Sequence, residues 1–276
     1  MRARAHVLLG GRLGGRAVPA GCAVAASAAL ILAAAGCGDG DERVSEAAGK
    51  GAEALRAAVG WLAPGVEAGE PSAALRPPLY AVARVREGET VPLRRSPRGR
   101  VIEKLGDRTE FGSPRSFWVA EVRGDWLGVP VPELPNGALG WIRDDRDRLD
   151  LYQTRYSVVA DISERALTLR YGDKVLDRVP VTVGAPGSPT PTGSFSVTDA
   201  LGGAETGPYY GCCILALSGH QPNLPPGWLG GDRVAIHGTP GDTGLAASGG
   251  CLRAGNEDMV GLFARVPLGA PVFIRA

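Results

Sequence analysis

The sequence predicts a mostly β protein with one short helix near its C-terminus. Two kinds of observation carry that reading. Glycine and proline are abundant, 41 and 22 of 276 residues, and they cluster as turns between short runs. The runs either alternate apolar and polar with period two or stay apolar for a few residues, as half-buried and fully buried strands do. The exception is the stretch from Asn256 to Ala264. Asn256 reads as a helix cap, and Glu257 and Asp258 suit a first turn.

In chain order, residues 1–36 read as a signal peptide. Arg2, Arg4, Arg12 and Arg16 give a basic start, and Ala23 to Ala35 is an apolar run of thirteen residues. A membrane-spanning helix needs about twenty, so this run fits the core of a secretion signal. It ends in Ala34-Ala35-Gly36-Cys37, which resembles a lipobox with Cys37 as the lipidated first mature residue. The expected location is therefore the cell envelope, with the membrane as a partner through a lipid anchor. Residues 37–78 combine acid, alanine, glycine and Pro64, Pro71, Pro77 and Pro78. They read as a tether, spanning roughly 35 Å as a coil and about 130 Å when fully extended.

Residues 79–150 alternate β-prone runs with turns: Tyr80 to Val85, Phe117 to Val122, Trp126 to Val131 and Gly140-Trp141-Ile142. This predicts a small β-barrel. The Trp126 and Gly140-Trp141-Ile142 pairing resembles bacterial SH3-like wall-associated domains. Trp118, Trp126 and Trp141 read as core, and Arg143 to Asp150 as a solvated linker.

Residues 151–276 open with a hairpin, Ser157 to Ile162 and Ala166 to Tyr171. Val175 to Val183 is a further strand, Gly184 to Gly193 a turn, and Phe195 to Val197 alternates again. Tyr209 to Leu217 reads as one continuous strand buried on both faces. Within it Cys212 and Cys213 point to opposite faces and should not behave alike. Val234-Ala235-Ile236 leads into His237 at a strand end, and Pro271 to Ile274 is the last strand.

Composition excludes several classes. A net charge of +1 gives no electrostatic reason to expect nucleic acid. Three cysteines in the folded part, Cys212, Cys213 and Cys251, are no disulfide framework. No zinc-type spacing or phosphate-binding glycine pattern is present, so neither a metal nor a cofactor is expected.

The chemistry concentrates between Ile236 and Asn256. His237 and Cys251 lie fourteen positions apart, with glycines at 238, 241, 244, 249 and 250. A thiol with pKa near ~8.5 is scarcely ionised at neutral pH and needs a base, which a histidine supplies. Backbone N–H groups around Gly250 and Cys251 are candidates for stabilising an acyl-transfer oxyanion, at roughly 3–4 kcal/mol for a good donor. Arg253 offers a fork suited to a substrate carboxylate.

His237-Gly238-Thr239 followed by Ser248-Gly249-Gly250-Cys251-Leu252-Arg253 resembles the signature of the L,D-transpeptidases, the YkuD-like family. Thr190-Pro191-Thr192-Gly193-Ser194-Phe195 resembles that family's upstream turn, and the likeness runs from about Tyr156 to Ala276. Two positions depart from the family. A histidine more often stands where this chain has Gly249, and the gap between His237 and Ser248 is shorter here. The resemblance implies a β-sandwich or barrel-like catalytic domain acting on peptidoglycan stem peptides through a cysteine acyl-enzyme. It implies Cys251 as nucleophile, His237 as base, the Gly238 carbonyl as orienter, and Gly250 and Cys251 as backbone donors. Arg253, Thr239 and Ser248 are the candidate substrate contacts, with Ser248 more a loop organiser than a nucleophile.

The terminal D-alanine would leave, and an amine from a second stem would take the acyl group. Water in that place would make the enzyme a carboxypeptidase. Sortases also run His, Cys, Arg, but their cysteine follows Thr-Leu-x-Thr. Papain-like wall endopeptidases place Cys before His. A non-catalytic wall-binding lipoprotein is the remaining alternative, and the joint presence of His237, Cys251 and Arg253 speaks against it.

Overall fold

The computed structural model describes residues 78–203 and 207–276. The expected signal peptide, the lipidated Cys37 and the tether up to residue 77 lie outside them. The first half of the described chain runs β1 (Tyr80–Val85), β2 (Thr90–Arg94), β3 (Val101–Gly106), β4 (Ser116–Trp118), β5 (Glu121–Arg123), β6 (Trp126–Val129), β7 (Gly140–Arg143) and β8 (Leu149–Thr154). The second half adds β9 (Tyr156–Asp161), β10 (Ala166–Tyr171), β11 (Lys174–Gly184), β12 (Gly193–Gly202), β13 (Cys213–His220), β14 (Arg233–Thr239), β15 (Ala246–Ser248), β16 (Leu252–Gly255) and β17 (Pro271–Arg275). One α-helix, α1 (Asn256–Arg265), stands among the described residues, as the sequence leads one to expect.

The first half makes two small sheets, β4-β1-β8 and β3-β2-β7-β6-β5. They share a core of Ala83, Leu93, Leu105, Phe117, Val129 and Ile142 among others. Of the three tryptophans read as core, only Trp141 is buried. Trp126 is half-buried, with the Arg94 guanidinium 5.6 Å from its ring centre. Trp118 is half-buried too and packs edge-on against Phe273 at 5.4 Å. The stretch Arg143 to Asp150 is not all linker. Leu149 and Asp150 begin β8, and Leu149 is fully buried because β8 pairs along its whole length with β1. Its apolar side chain fills the core, and the charges that suggested a solvated segment belong to the turn before it.

The second half is a closed barrel. Strands β10-β9-β17-β12-β13-β14-β16-β11 are neighbours in that order, and β11 pairs back with β10. Most pairs are antiparallel, but β9–β17 and β14–β16 are parallel, and β15 adds to β11 in parallel from outside the ring. Alternation sends Leu167, Leu169, Val181, Leu215, Leu217, Ile236 and Leu252 inward, all fully buried. Each such side chain contributes roughly 1.5–3 kcal/mol by leaving water. Met259 and Leu262 of α1 join the same core.

Two local expectations are corrected. The strand read from Tyr209 begins only at Cys213. Tyr209 and Tyr210 sit instead in a 3-10 turn, Pro208–Tyr210, that ends at Gly211 with φ 62. The β propensity of two tyrosines yields there to proline at the turn's start and glycine at its end. The N-cap of α1 is Gly255, and Asn256 is its first residue. The Asn256 side chain does not cap the helix; its Oδ1 accepts the Cys212 N–H at 3.0 Å.

The two halves pack as one unit. Only Arg155 separates β8 from β9. Asn136 exchanges two hydrogen bonds with the His220 backbone, at 2.7 and 2.8 Å. Arg233 at the start of β14 pairs with Glu110 across the boundary.

Candidate active site

The parallel pairing of β14 with β16 builds the site. Its register sets Ile236 against Leu252 and His237 against Arg253. Ile236 and Leu252 point into the barrel, so their odd-numbered neighbours His237, Cys251 and Arg253 turn to the other face. Cys251 immediately precedes β16 and therefore stands level with Ala235. A histidine and a thiol fourteen positions apart come to the same face because the chain returns in parallel beside the strand it left.

His237 is completely buried. Its Nδ1 lies 2.8 Å from the Gly238 carbonyl, an acceptor only, so Nδ1 carries the proton of the neutral ring. Nε2 is then the lone-pair nitrogen, and it is buried without a hydrogen-bond partner. Burial pushes the His237 pKa down to about 4; the Gly238 hydrogen bond opposes this, and the Arg253 charge reinforces it. At neutral pH the ring is an unprotonated imidazole with its acceptor nitrogen free. The Tyr210 ring stands edge-on to it at 5.1 Å, and the Tyr209 ring lies 5.7 Å away at 35°. Both tyrosines therefore face the site, although the sequence pattern could not choose between them.

Cys251 is half-buried and unpaired. Its Sγ lies 4.0 Å from the Arg233 carbonyl oxygen. Burial pushes its thiol pKa up, while a hydrogen bond with the Ala235 backbone and the Arg253 charge pull it down. Both shifts favour a neutral thiol beside a neutral imidazole over a thiolate–imidazolium pair.

Ser248 organises the loop. Its Oγ accepts the Gly250 N–H at 3.0 Å and donates to the Cys251 carbonyl at 2.6 Å. This corrects one candidate donor: the Gly250 N–H is already engaged. Of the two candidate backbone donors, this leaves the Cys251 N–H. Thr239 Oγ1 accepts the Gly241 N–H at 3.2 Å and shapes the turn after β14. Arg253 stacks over the Tyr209 ring at 4.9 Å and donates to its hydroxyl, while its Nε is buried without a partner. Trp228 extends this aromatic wall, 6.4 Å from Tyr209.

Three participants are missing from the sequence reading. Gln221, in a turn-rich loop, is buried and donates to the Gly249 carbonyl at 3.1 Å. The upstream turn reaches the loop before Cys251 through the Ala185 N–H, which donates to the Ser248 carbonyl at 2.8 Å. Asn256 ties the tyrosine turn to the strand bearing His237; its Oδ1 fills the place where a Cβ on Gly238 would lie, 2.5 Å away. No alternation or motif marks these three contacts, because each is made between distant segments. His220, the other histidine of the folded part, is turned to the first half: its Nε2 lies 2.6 Å from the Pro132 carbonyl and its Nδ1 3.0 Å from Asp232.

Cys212 and Cys213 are free, and they differ in burial because Cys212 ends the turn and Cys213 opens β13, not by alternation within one strand. Cys212 is half-buried and Cys213 buried, with its thiol pushed up to about 12 by burial and by its Cys212 neighbour. The described residues contain no group of three or more His, Cys, Asp or Glu placed to hold a metal ion.

The profile of the YkuD L,D-transpeptidase catalytic domain matches residues 155–274. A putative L,D-transpeptidase YkuD of Bacillus subtilis (strain 168) is 32% identical over 127 residues, covering 45% of this chain and 69% of the relative. One of the same name from Bacillus licheniformis is 30% identical over 121 residues, covering 43% and 65%. Among solved structures, an L,D-transpeptidase from Mycobacterium smegmatis aligns at TM-score 0.36 and 19% identity, over 57% of this chain and 80% of that one. An Enterococcus faecium L,D-transpeptidase aligns at TM-score 0.34 and 21% identity, over 44% and 50%. The chain thus spans about half the length of the Enterococcus faecium protein. By this profile and the Bacillus subtilis relative, the chain belongs to the L,D-transpeptidase family.

Proposed function

We propose that the protein is a peptidoglycan L,D-transpeptidase that works through a Cys251 acyl-enzyme. The observation that carries this is the free, buried Nε2 of a neutral His237 on the same face as Cys251. In the proposed reaction Cys251 Sγ attacks the carbonyl of the third stem residue, and His237 Nε2 takes the thiol proton. The Cys251 N–H stabilises the oxyanion. Collapse breaks the amide bond, His237 returns the proton to the leaving amine, and the terminal D-alanine departs. An amine of a second stem then attacks the thioester, losing its proton to His237, and the thiol is restored as the cross-link forms. In the resting structure the thiol and Nε2 are not hydrogen-bonded, so the Sγ must swing toward the ring when substrate arrives, a tightening common to catalytic pairs. Arg253, held by Tyr209, lies beside both groups and suits the stem's terminal carboxylate.

Mass spectrometry of stem peptides incubated with the enzyme tests this reading. Loss of the terminal D-alanine and gain of cross-linked product are expected, and Cys251→Ala should abolish both with its unfolding transition unchanged. Turnover by that variant would refute it.

The reading extends to location. Export and lipidation at Cys37 would hold the enzyme at the membrane, with the SH3-like first half and the barrel facing the wall. The support is the Ala34-Ala35-Gly36-Cys37 sequence after an apolar run. A metabolic lipid label should mark the protein and disappear in Cys37→Ser; an unlabelled, freely released parent protein would reject the anchor.

A further inference from the structure

Gln221 directly follows β13 and is buried, an unusual state for a long polar side chain opening a loop. Its carboxamide is fully used. Nε2 faces three carbonyl oxygens, of Ser188 at 3.2 Å, Pro189 at 3.0 Å and Gly249 at 3.1 Å. Oε1 accepts the Asn223 N–H at 2.9 Å. That last bond fixes which way the amide points, since a flipped amide would set an oxygen against three oxygens. One side chain thus joins the upstream turn, the loop after β13 and the loop that carries the thiol.

The Gly249–Gly250 peptide is pinned at both ends. Its carbonyl receives Gln221, and its N–H donates to Ser248 Oγ at 3.0 Å. A peptide unit is planar, so two pins fix its plane. The next unit, which carries the Cys251 N–H, is joined to it through the two dihedrals of Gly250, while Ser248 Oγ holds the far side of Cys251 by its carbonyl. Gly250 sits at φ 119, and a Cβ there would lie 1.9 Å from Gln221 Nε2. Glycine is thus required both by the backbone angle and by the closeness of Gln221. It is also the residue with the greatest freedom to swing if a pin is removed.

We infer that Gln221 is a positioning residue for acyl transfer: by clamping the Gly249 carbonyl it aims the Cys251 N–H at the place where the oxyanion forms. This rests on the acyl-enzyme reading above. It predicts a split between two reactions of the same thiol. Alkylation by iodoacetamide is a displacement: the S–C bond forms, iodide leaves, and no oxyanion arises. Acylation by a stem tetrapeptide or a carbapenem passes through an oxyanion.

The test uses Gln221→Met, which keeps length without a donor, beside Gln221→Ala. Acylation of Gln221→Met should slow about 10- to 100-fold, the cost of a misaimed group or donor. The alkylation rate against pH should match that of the parent. Acylation within about twofold of the parent would overturn the inference, because misplacement is expected to cost far more. So would a joint loss of acylation and alkylation, which would signal general disorder of the loop. If neither variant folds, the amide is a structural core group and the inference falls. A parent protein that is alkylated but never acylated would reject the acyl-transfer reading itself, before any Gln221 variant is made, and this inference with it.

Discussion

Acid should weaken this fold through one side chain, His237. In the unfolded chain an imidazole takes its proton near 6.5; in the fold, burial holds that proton off until about 4. Between those values the unfolded state binds a proton that the folded state refuses, so stability rises with pH across the window. It is complete above about 6.5, declines as pH falls toward 4, and then levels off. A displacement of that size is worth about 3 kcal/mol for a ring this deeply buried. For a chain of this size it corresponds to roughly 6–12 °C in unfolding temperature. Urea unfolding of the parent and of His237→Gln, at steps from pH 7.5 to 3.5, isolates the effect. Other titrating groups, Asp161 among them, are common to both proteins and cancel in the difference. The parent's advantage over the variant should shrink by about 3 kcal/mol between neutral pH and pH 4. A difference that does not change with pH would show that His237 titrates normally. The burial of its unpartnered nitrogen, the observation on which the proposed mechanism rests, would then be refuted.

Two other substitutions test the surroundings of the site. Arg253→Gln removes the charge that lowers both Cys251 and His237, so the alkylation profile of Cys251 should move to higher pH; an unmoved profile would detach Arg253 from the thiol. Arg233 donates to the Leu217 carbonyl and to Thr198 with little exposure, so Arg233→Ala should cost about 2–4 kcal/mol of stability by urea unfolding. Its partner Glu110 is largely exposed, so Glu110→Ala should cost less than about 1 kcal/mol, and equal losses from the two would refute the assignment.

Much of the barrel was legible in advance because its strands obey local rules. The hairpin 157–171, the long strand to Val183 and the closing strand at Pro271 each carry their own alternation and their own turn. His237 and Cys251 were legible for another reason, a rare pair of residue types within a glycine-rich frame. Failures came where a distant contact overrode a local preference. Asn256 has the chemistry of a cap, but the Cys212 N–H claims its oxygen. Gly250 carries a candidate oxyanion donor, but Ser248 Oγ takes its N–H. Tyr209 and Tyr210 favour a strand, but Pro208 and Gly211 turn them over the histidine. Gln221 has no local signature, since its three acceptors come from two segments far apart in sequence.

The join between β8 and β9 bears on how such an enzyme would meet its target. With one residue between the strands, the first half and the barrel have no slack at that point, and Glu110, Asn136 and Trp118 fasten them at three further places. Whatever surface the first half settles on, the barrel arrives at a set angle. The compass bearing of Cys251 relative to the first half is thus decided by these joins and not by anything that binds later.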